Sequence, residues 1–301
     1  MTTEKQNMAH ICNHKVLSRQ SHVLLKCHFI HHFYPDLRLG PFHLEEKMYS
    51  PSRYLLHDFL FPGEINWILE HSKPALSKAR MNSAKYARTS NNRSVQKAIQ
   101  TWFSDINWNY NDTYVRTSSM GGPLKFAVKR PKNAYDFTVQ HSIVLKISKR
   151  FEIATKLNIT ARYGSTQYQS THYGLAGMVQ THSDTWGYEK GAELIEQRKH
   201  LVQTGDVLAT LMTWLAETKA GGGTAFTEEP YKDVFFPQKG SVAVWYTLST
   251  CHRKDISSNH MGCPVLLGSK WILNKWIYSY NQWNAFPCNL IPNTRISPFQ
   301  K

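Results

Sequence analysis

A chain of 301 residues, 41% apolar and 13% aromatic, can bury a sizeable core, which excludes a disordered or low-complexity protein. Its formal charge is +15, and residues 1–150 alone hold 22 Lys and Arg against 10 Asp and Glu. The basic residues are scattered, Lys129-Arg130-Pro131-Lys132 being the tightest group, so a solvated surface explains them better than a nucleic-acid face. No apolar run reaches membrane-spanning length, and the opening residues lack the layout of a secretory signal. A cytosolic protein or a truncated N-terminus is expected.

In chain order, residues 1–50 mix His, Lys and Cys without a period and predict an irregular lead-in. Residues 51–301 are then the folded domain. Pro62 and Glu64 open a stretch with Ile65, Ile68 and Leu69 at helical spacing, which predicts a helix over 61–72. Residues 81–135, rich in Asn, Ser, Gly and Lys, predict long loops. Val139, Ile143, Ile147 and Phe151 recur at four-residue steps and predict a second amphipathic helix. Strands follow at Thr166–His182, Val207–Leu215, Ser241–Leu248 and Lys270–Tyr280, separated by turn residues such as Gly221-Gly222-Gly223 and Pro237-Gln238-Lys239-Gly240. Helices followed by many short strands predict a mainly β, α+β fold. The expected core is a jelly roll (a double-stranded β-helix) with flanking N-terminal helices.

The sharpest local feature is His182-Ser183-Asp184. Residues two apart on a strand share a face, so the imidazole and carboxylate can converge on one metal. A second histidine from a neighbouring strand would complete a two-histidine, one-carboxylate triad, which leaves one face of an iron(II) ion open. Such a site is net positive and favours an anionic co-substrate, whose far carboxylate then needs a cation. The triplet alone is a weak signal: His43-Leu44-Glu45 has the same form and is read as surface. The five cysteines form no C-x-x-C pair, which argues against structural zinc. Sequons at Asn92, Asn111 and Asn158 only mildly favour a secretory compartment.

Longer segments are more specific. Gly205–Phe226, Pro237–Leu248 and His260-Met-Gly-Cys-Pro-Val-Leu-Leu-Gly-Ser-Lys-Trp-Ile-Leu-Asn-Lys-Trp276 resemble, in order, the catalytic domain of prolyl 4-hydroxylase α subunits. The resemblance is dense from Thr171 to Cys288 and traceable back to Tyr54. It implies an iron(II), 2-oxoglutarate-dependent dioxygenase domain with His182, Asp184 and His260 as metal ligands. It implies Lys270 as the anchor of 2-oxoglutarate, Tyr173 and Thr210 in that pocket, and Trp276 beside it. It further implies disulfides Cys263–Cys288 and Cys12–Cys27, with Cys251 a free core thiol. Ascorbate as cofactor, O2 as co-substrate, protein disulfide isomerase as partner subunit and the endoplasmic reticulum lumen as compartment come with the family. The expected reaction is hydroxylation of proline in procollagen-like peptides.

Three positions depart from the family: Val179 stands where a Tyr near the substrate proline is usual, Val207 replaces an Arg, and Trp214 replaces a Tyr. Losing a buried phenol that could orient a peptide costs about 1 kcal/mol or more. The departures motivate two alternatives, a catalytically weak binding or assembly subunit and a dioxygenase with a non-prolyl substrate. The family's peptide-contacting Arg-x-Ser has two candidates, Arg88/Ser90 and Arg116/Ser118.

Overall fold

The computed structural model describes residues 11–12, 26–30, 40–48, 51–78, 95–103, 105, 142–161, 163–185 and 204–289. In chain order the strands are β1 (Cys27–Ile30), β2 (Phe42–Met48), β3 (Arg53–His57), β4 (Ser77–Lys78), β5 (Val95–Phe103), β6 (Tyr168–His182) and β7 (Val207–Ala216). They continue as β8 (Ala220–Gly221), β9 (Thr224–Phe226), β10 (Asp233–Phe235), β11 (Val242–Tyr246), β12 (His260–Gly262), β13 (Val265–Leu267) and β14 (Lys270–Tyr278). Helices α1 (Pro62–Ser72) and α2 (Ser142–Thr155) precede β6 and β7.

Among the described residues, twelve strands form one antiparallel sheet in the order β1-β2-β3-β11-β7-β14-β6-β12-β9-β10, with β5 also on β6 and β4 on β5. The sheet curls because β6 serves two parts of it. Its first half pairs with β14 and its last residues pair with β12. The bend lies at Gly174–Gly177, where Ala176 takes φ +59° and a Cβ on Gly177 would meet the Gly174 carbonyl at 2.7 Å. The result is the jelly-roll core expected from the strand pattern.

Side chains alternate between two apolar clusters. Toward the helices, Leu56, Leu211, Val244, Leu273 and Ile277 pack with Ile65, Ile68, Val144, Ile147 and Phe151. Burying one such side chain contributes about 1.5–3 kcal/mol. Inside the curl, Tyr173, Val179, Met212, Trp214, Phe226, Trp245 and Ile272 form the second cluster. The helices therefore hold the sheet from outside and leave its interior for chemistry.

Both predicted helices are present, although Val139 lies outside the described residues. Pro62 occupies the first turn of α1, the Phe61 N–H donates to the Glu64 carboxylate at 3.0 Å, and Arg150 of α2 grips that carboxylate with two 2.8 Å bonds. Two expectations fail. The lead-in contains β1 and β2, which continue the sheet, because Leu44, Glu46 and Met48 alternate into its buried side. The loop region contains β5, nine residues whose ladder to β6 is made by backbone groups that a polar composition does not exclude. Arg88, Ser90, Arg116 and Ser118 lie outside the described residues.

The cysteine pairing differs as well. Cys12 bonds to Cys263, while Cys27, Cys251 and Cys288 are free. Cys263 turns toward the cluster of Ala225, Val234 and Met261, and Ile11 packs there beside Cys12. Cys27 and Cys288, the partners that the resemblance implied, are both exposed.

Candidate active site

Strand register brings the histidines together. His260 is the direct partner of His182 across the β6–β12 ladder, and the irregularity between His260 and Gly262 re-aims the end of β6 inward. Their ring centroids lie 4.4 Å apart. Asp184 joins them from the bend just after β6 rather than from the strand itself, which corrects the expected strand-face geometry. Its carboxylate oxygens lie 3.7 Å from Nε2 of His182 and 3.7 Å from Nε2 of His260. One ligand atom from each of the three falls within 4.8 Å of the others. These separations are too long for hydrogen bonds and suit donors that share an ion.

The remaining ring nitrogens are tied to backbone. Nδ1 of His182 contacts the Gln180 carbonyl at 2.8 Å, and Nδ1 of His260 contacts the Ser258 carbonyl at 2.9 Å. A carbonyl only accepts, so each Nδ1 carries the hydrogen and each Nε2 presents its lone pair to the centre. Thr210 on β7 donates to Asp184 Oδ2 at 2.6 Å and fixes the carboxylate. Burial pushes the His260 imidazole down to about 4; Asp184 draws it back up and His182 lowers it further. At neutral pH this ring is uncharged and ready to ligate. Two imidazoles and a carboxylate, with their outer atoms already satisfied, fit a divalent transition metal such as iron(II).

Lys270 opens β14 opposite Tyr173 on β6. It is buried, and Nζ donates to the Gly223 carbonyl at 3.2 Å and to the Thr224 hydroxyl at 3.0 Å. Among the described residues no carboxylate pairs with it. Burial pushes its ammonium down to about 7. The Tyr173 ring centroid sits 5.8 Å from Nζ, within cation–π range. The Tyr173 phenol is raised above its ordinary value by burial and then by Asp184, so it stays a proton donor. Trp276 is the β14 partner of Thr210, and its ring faces Trp102 of β5 at 6.3 Å.

Every proposed site residue thus faces one interior, lined by β6, β7, β12 and β14. Sequence reading missed Trp245, which meets His260 edge-on at 4.9 Å, and Thr224, which anchors Lys270. The Gly221-Gly222-Gly223 turn was the available signal for Thr224, since Gly221 and Gly222 take φ near +70° and lead straight into β9. Of the altered positions, Val179 is buried opposite Gly262 and Trp214 is fully buried in the interior.

Residues 168–278 match the 2OG-Fe(II) oxygenase superfamily. Prolyl 4-hydroxylase subunit alpha-1 of Mus musculus is 25% identical over 256 residues, covering 85% of this chain and 40% of that protein. Subunit alpha-2 of Caenorhabditis elegans is 26% identical over 257 residues, covering 85% and 39%. Among solved structures, a viral collagen prolyl hydroxylase from Paramecium bursaria Chlorella virus-1, in complex with 2OG, is 20% identical with a TM-score of 0.46, covering 75% of this chain and 95% of that one. The chain spans about two fifths of the length of the curated relatives it matches. Residues 168–278 are thus similar to the 2OG-Fe(II) oxygenase superfamily, and 85% of the chain is similar to prolyl 4-hydroxylase α subunits.

Proposed function

We propose that the chain is an iron(II)- and 2-oxoglutarate-dependent dioxygenase that hydroxylates proline in collagen-like peptides. The observation that carries the reading is a buried ammonium that has no carboxylate partner among the described residues, set in the same interior as three converging metal donors. His182, Asp184 and His260 would hold the iron, which when bound supplies the redox chemistry that consumes dioxygen and 2-oxoglutarate. Lys270 receives the far carboxylate of 2-oxoglutarate as a point charge, and Thr224 and Gly223 hold its Nζ in place. Tyr173 packs beside it and excludes water. Thr210 keeps the Asp184 carboxylate oriented, and Trp276 closes the neighbouring wall. The overall balance is peptidyl proline, 2-oxoglutarate and O2 to hydroxyproline, succinate and CO2.

Ascorbate then serves to return oxidised iron to the ferrous state after uncoupled turnovers. Protein disulfide isomerase as partner subunit and the endoplasmic reticulum lumen as compartment belong to the same proposal, supported by the similarity to α subunits. Val179 favours a second reading, in which the pocket takes a non-prolyl side chain or only binds its peptide, because a small apolar residue fills the wall there. The test supplies purified protein with iron, ascorbate, 2-oxoglutarate and a Pro-Pro-Gly repeat peptide. Peptide-dependent succinate and one added oxygen on proline are expected. No succinate with or without peptide ends the enzyme reading, and succinate without hydroxyproline moves the assignment to another substrate.

A further inference from the structure

Arg53 is the largest buried charge that the reaction above does not use. It opens β3, is only 1% exposed, and its register partner on β11 is Trp245. Its guanidinium lies over the face of Phe226, with Cζ 3.7 Å from the ring centroid. Phe226 is the register partner of His260 on β9, and the two rings are 5.9 Å apart. The fork donates two 2.7 Å hydrogen bonds in different directions, one to the Tyr231 carbonyl and one to the Ser257 carbonyl. Ser257 sits in the 3-10 turn Ile256–Ser258, and the next carbonyl in that turn, Ser258, accepts from Nδ1 of His260.

We infer that Arg53 is a positioning residue for His260, acting through the Ser257–Ser258 backbone and the face of Phe226. This rests on the iron reading given above. The turn is fixed on every other side as well. Asp255 accepts from the Ser257 N–H at 2.9 Å, Asn259 donates to Glu228 at 2.9 Å, and the Thr227 N–H donates to the Asn259 carbonyl at 3.1 Å. Arg53 therefore joins the two loops that flank β9 and β12, and it does so from behind the imidazole. Burial pushes the guanidinium down to about 10, even though Asp233 and Asp255 supply countercharge that draws it back up. Only a planar fork can stack on a ring and serve two divergent carbonyls at once, so lysine cannot replace it.

The test is Co(II) titration of the purified full chain and of Arg53→Lys, following both the dissociation constant and the visible absorption bands. Arg53→Lys is expected to melt cooperatively, to bind Co(II) about 10–100-fold more weakly, and to show shifted bands as the imidazole loses its orientation. Arg150→Lys, on the outer face, is the control for a generic loss of a half-buried, ion-paired guanidinium and keeps the parent constant and spectrum. A folded Arg53→Lys with a constant within about twofold of the parent and unchanged bands overturns the role. Should Arg53→Lys not fold, Asp255→Ala decides, since it removes the acceptor of the Ser257 N–H and loosens the same turn at a half-exposed position: weaker binding with shifted bands supports the role and parent-like binding overturns it. A parent chain that takes up no Co(II) overturns the iron site and this role together, whereas binding unchanged across the variants overturns Arg53 alone.

Discussion

Lys270 concentrates the electrostatics of the site in one atom. Its folded-state value near 7 lies below that of an unfolded lysine, so between those two values the unfolded chain binds more protons and stability rises with pH. Below about 7 the folded protein carries the buried charge at full cost. Two outcomes follow from the same ammonium. Lys270→Met stabilises the protein near pH 6 by about 1–3 kcal/mol while abolishing 2-oxoglutarate binding, measured by melting and by calorimetric titration of the Co(II)-loaded chain. In the parent, 2-oxoglutarate binding weakens as pH rises from about 6 to 8, because the free protein loses the proton that the carboxylate needs. An affinity flat across that range would remove Lys270 as the anchor. Thr210 makes a smaller contribution: Thr210→Val removes the 2.6 Å bond to Asp184 and weakens Co(II) binding about 10-fold, with the melting temperature nearly unchanged. Identities were legible at this scale because His-x-Asp, the second His and the Lys ten residues later lie in fixed order. Orientation was not: the Gln180 and Ser258 carbonyls that aim the imidazoles are backbone atoms, which any residue at those positions supplies.

Among elements, β14 shows how one strand divides structure from chemistry. Lys270, Ile272, Asn274 and Trp276 face the interior, while Leu273, Lys275 and Ile277 face the helices. Lys275 is fully buried on that outer side, and its Nζ donates to Asp105 and to the Thr166 carbonyl, each at 2.6 Å. Ser148 of α2 also donates to Asp105 and lies 2.8 Å from the Tyr168 hydroxyl, so this network binds helix, sheet and the residues after β5. Removing one charge strands the other. Asp105→Leu is expected to cost about 3–5 kcal/mol, and Asp105→Leu with Lys275→Met to recover most of it, read by denaturant unfolding. A strictly additive double variant would show that the pair acts as two independent groups. Two helices were legible because their apolar residues repeat at helical spacing, and four strands because β-branched and aromatic runs lie between turn residues. Strand β5 was not, since Lys97, Gln96 and Gln100 mask it and its place depends on pairing with β6. Asp184 was misplaced for a related reason, because a strand's end is set by its partner and β12, which pairs with the end of β6, begins only at His260.

Across the whole molecule, the least legible feature is the Cys12–Cys263 bond, which joins positions 251 residues apart. Family spacing pointed to local pairs, and spacing is the only property of a cysteine that a sequence displays. Which thiols meet is decided by packing: Ile11 enters the cluster of Ala225, Val234, Met261 and Cys263, and that contact delivers Cys12 to the outer side of the strand that bears His260. Chain-entropy arithmetic gives a cross-link of this span about 5 kcal/mol, through restriction of the unfolded chain. Its effect on the metal site is a different matter, because β12 is held by β6 on one side and β9 on the other without it. Cys12→Ser should therefore lower the melting temperature clearly while leaving the Co(II) dissociation constant within about threefold of the parent. Non-reducing peptide mapping should recover a fragment containing both Cys12 and Cys263. Recovery of Cys263 joined to Cys288 would reinstate the local pairing and detach residues 11–12 from the core. A melting temperature insensitive to Cys12→Ser would mean that the packing of Ile11, not the covalent bond, holds the N-terminal segment against the sheet.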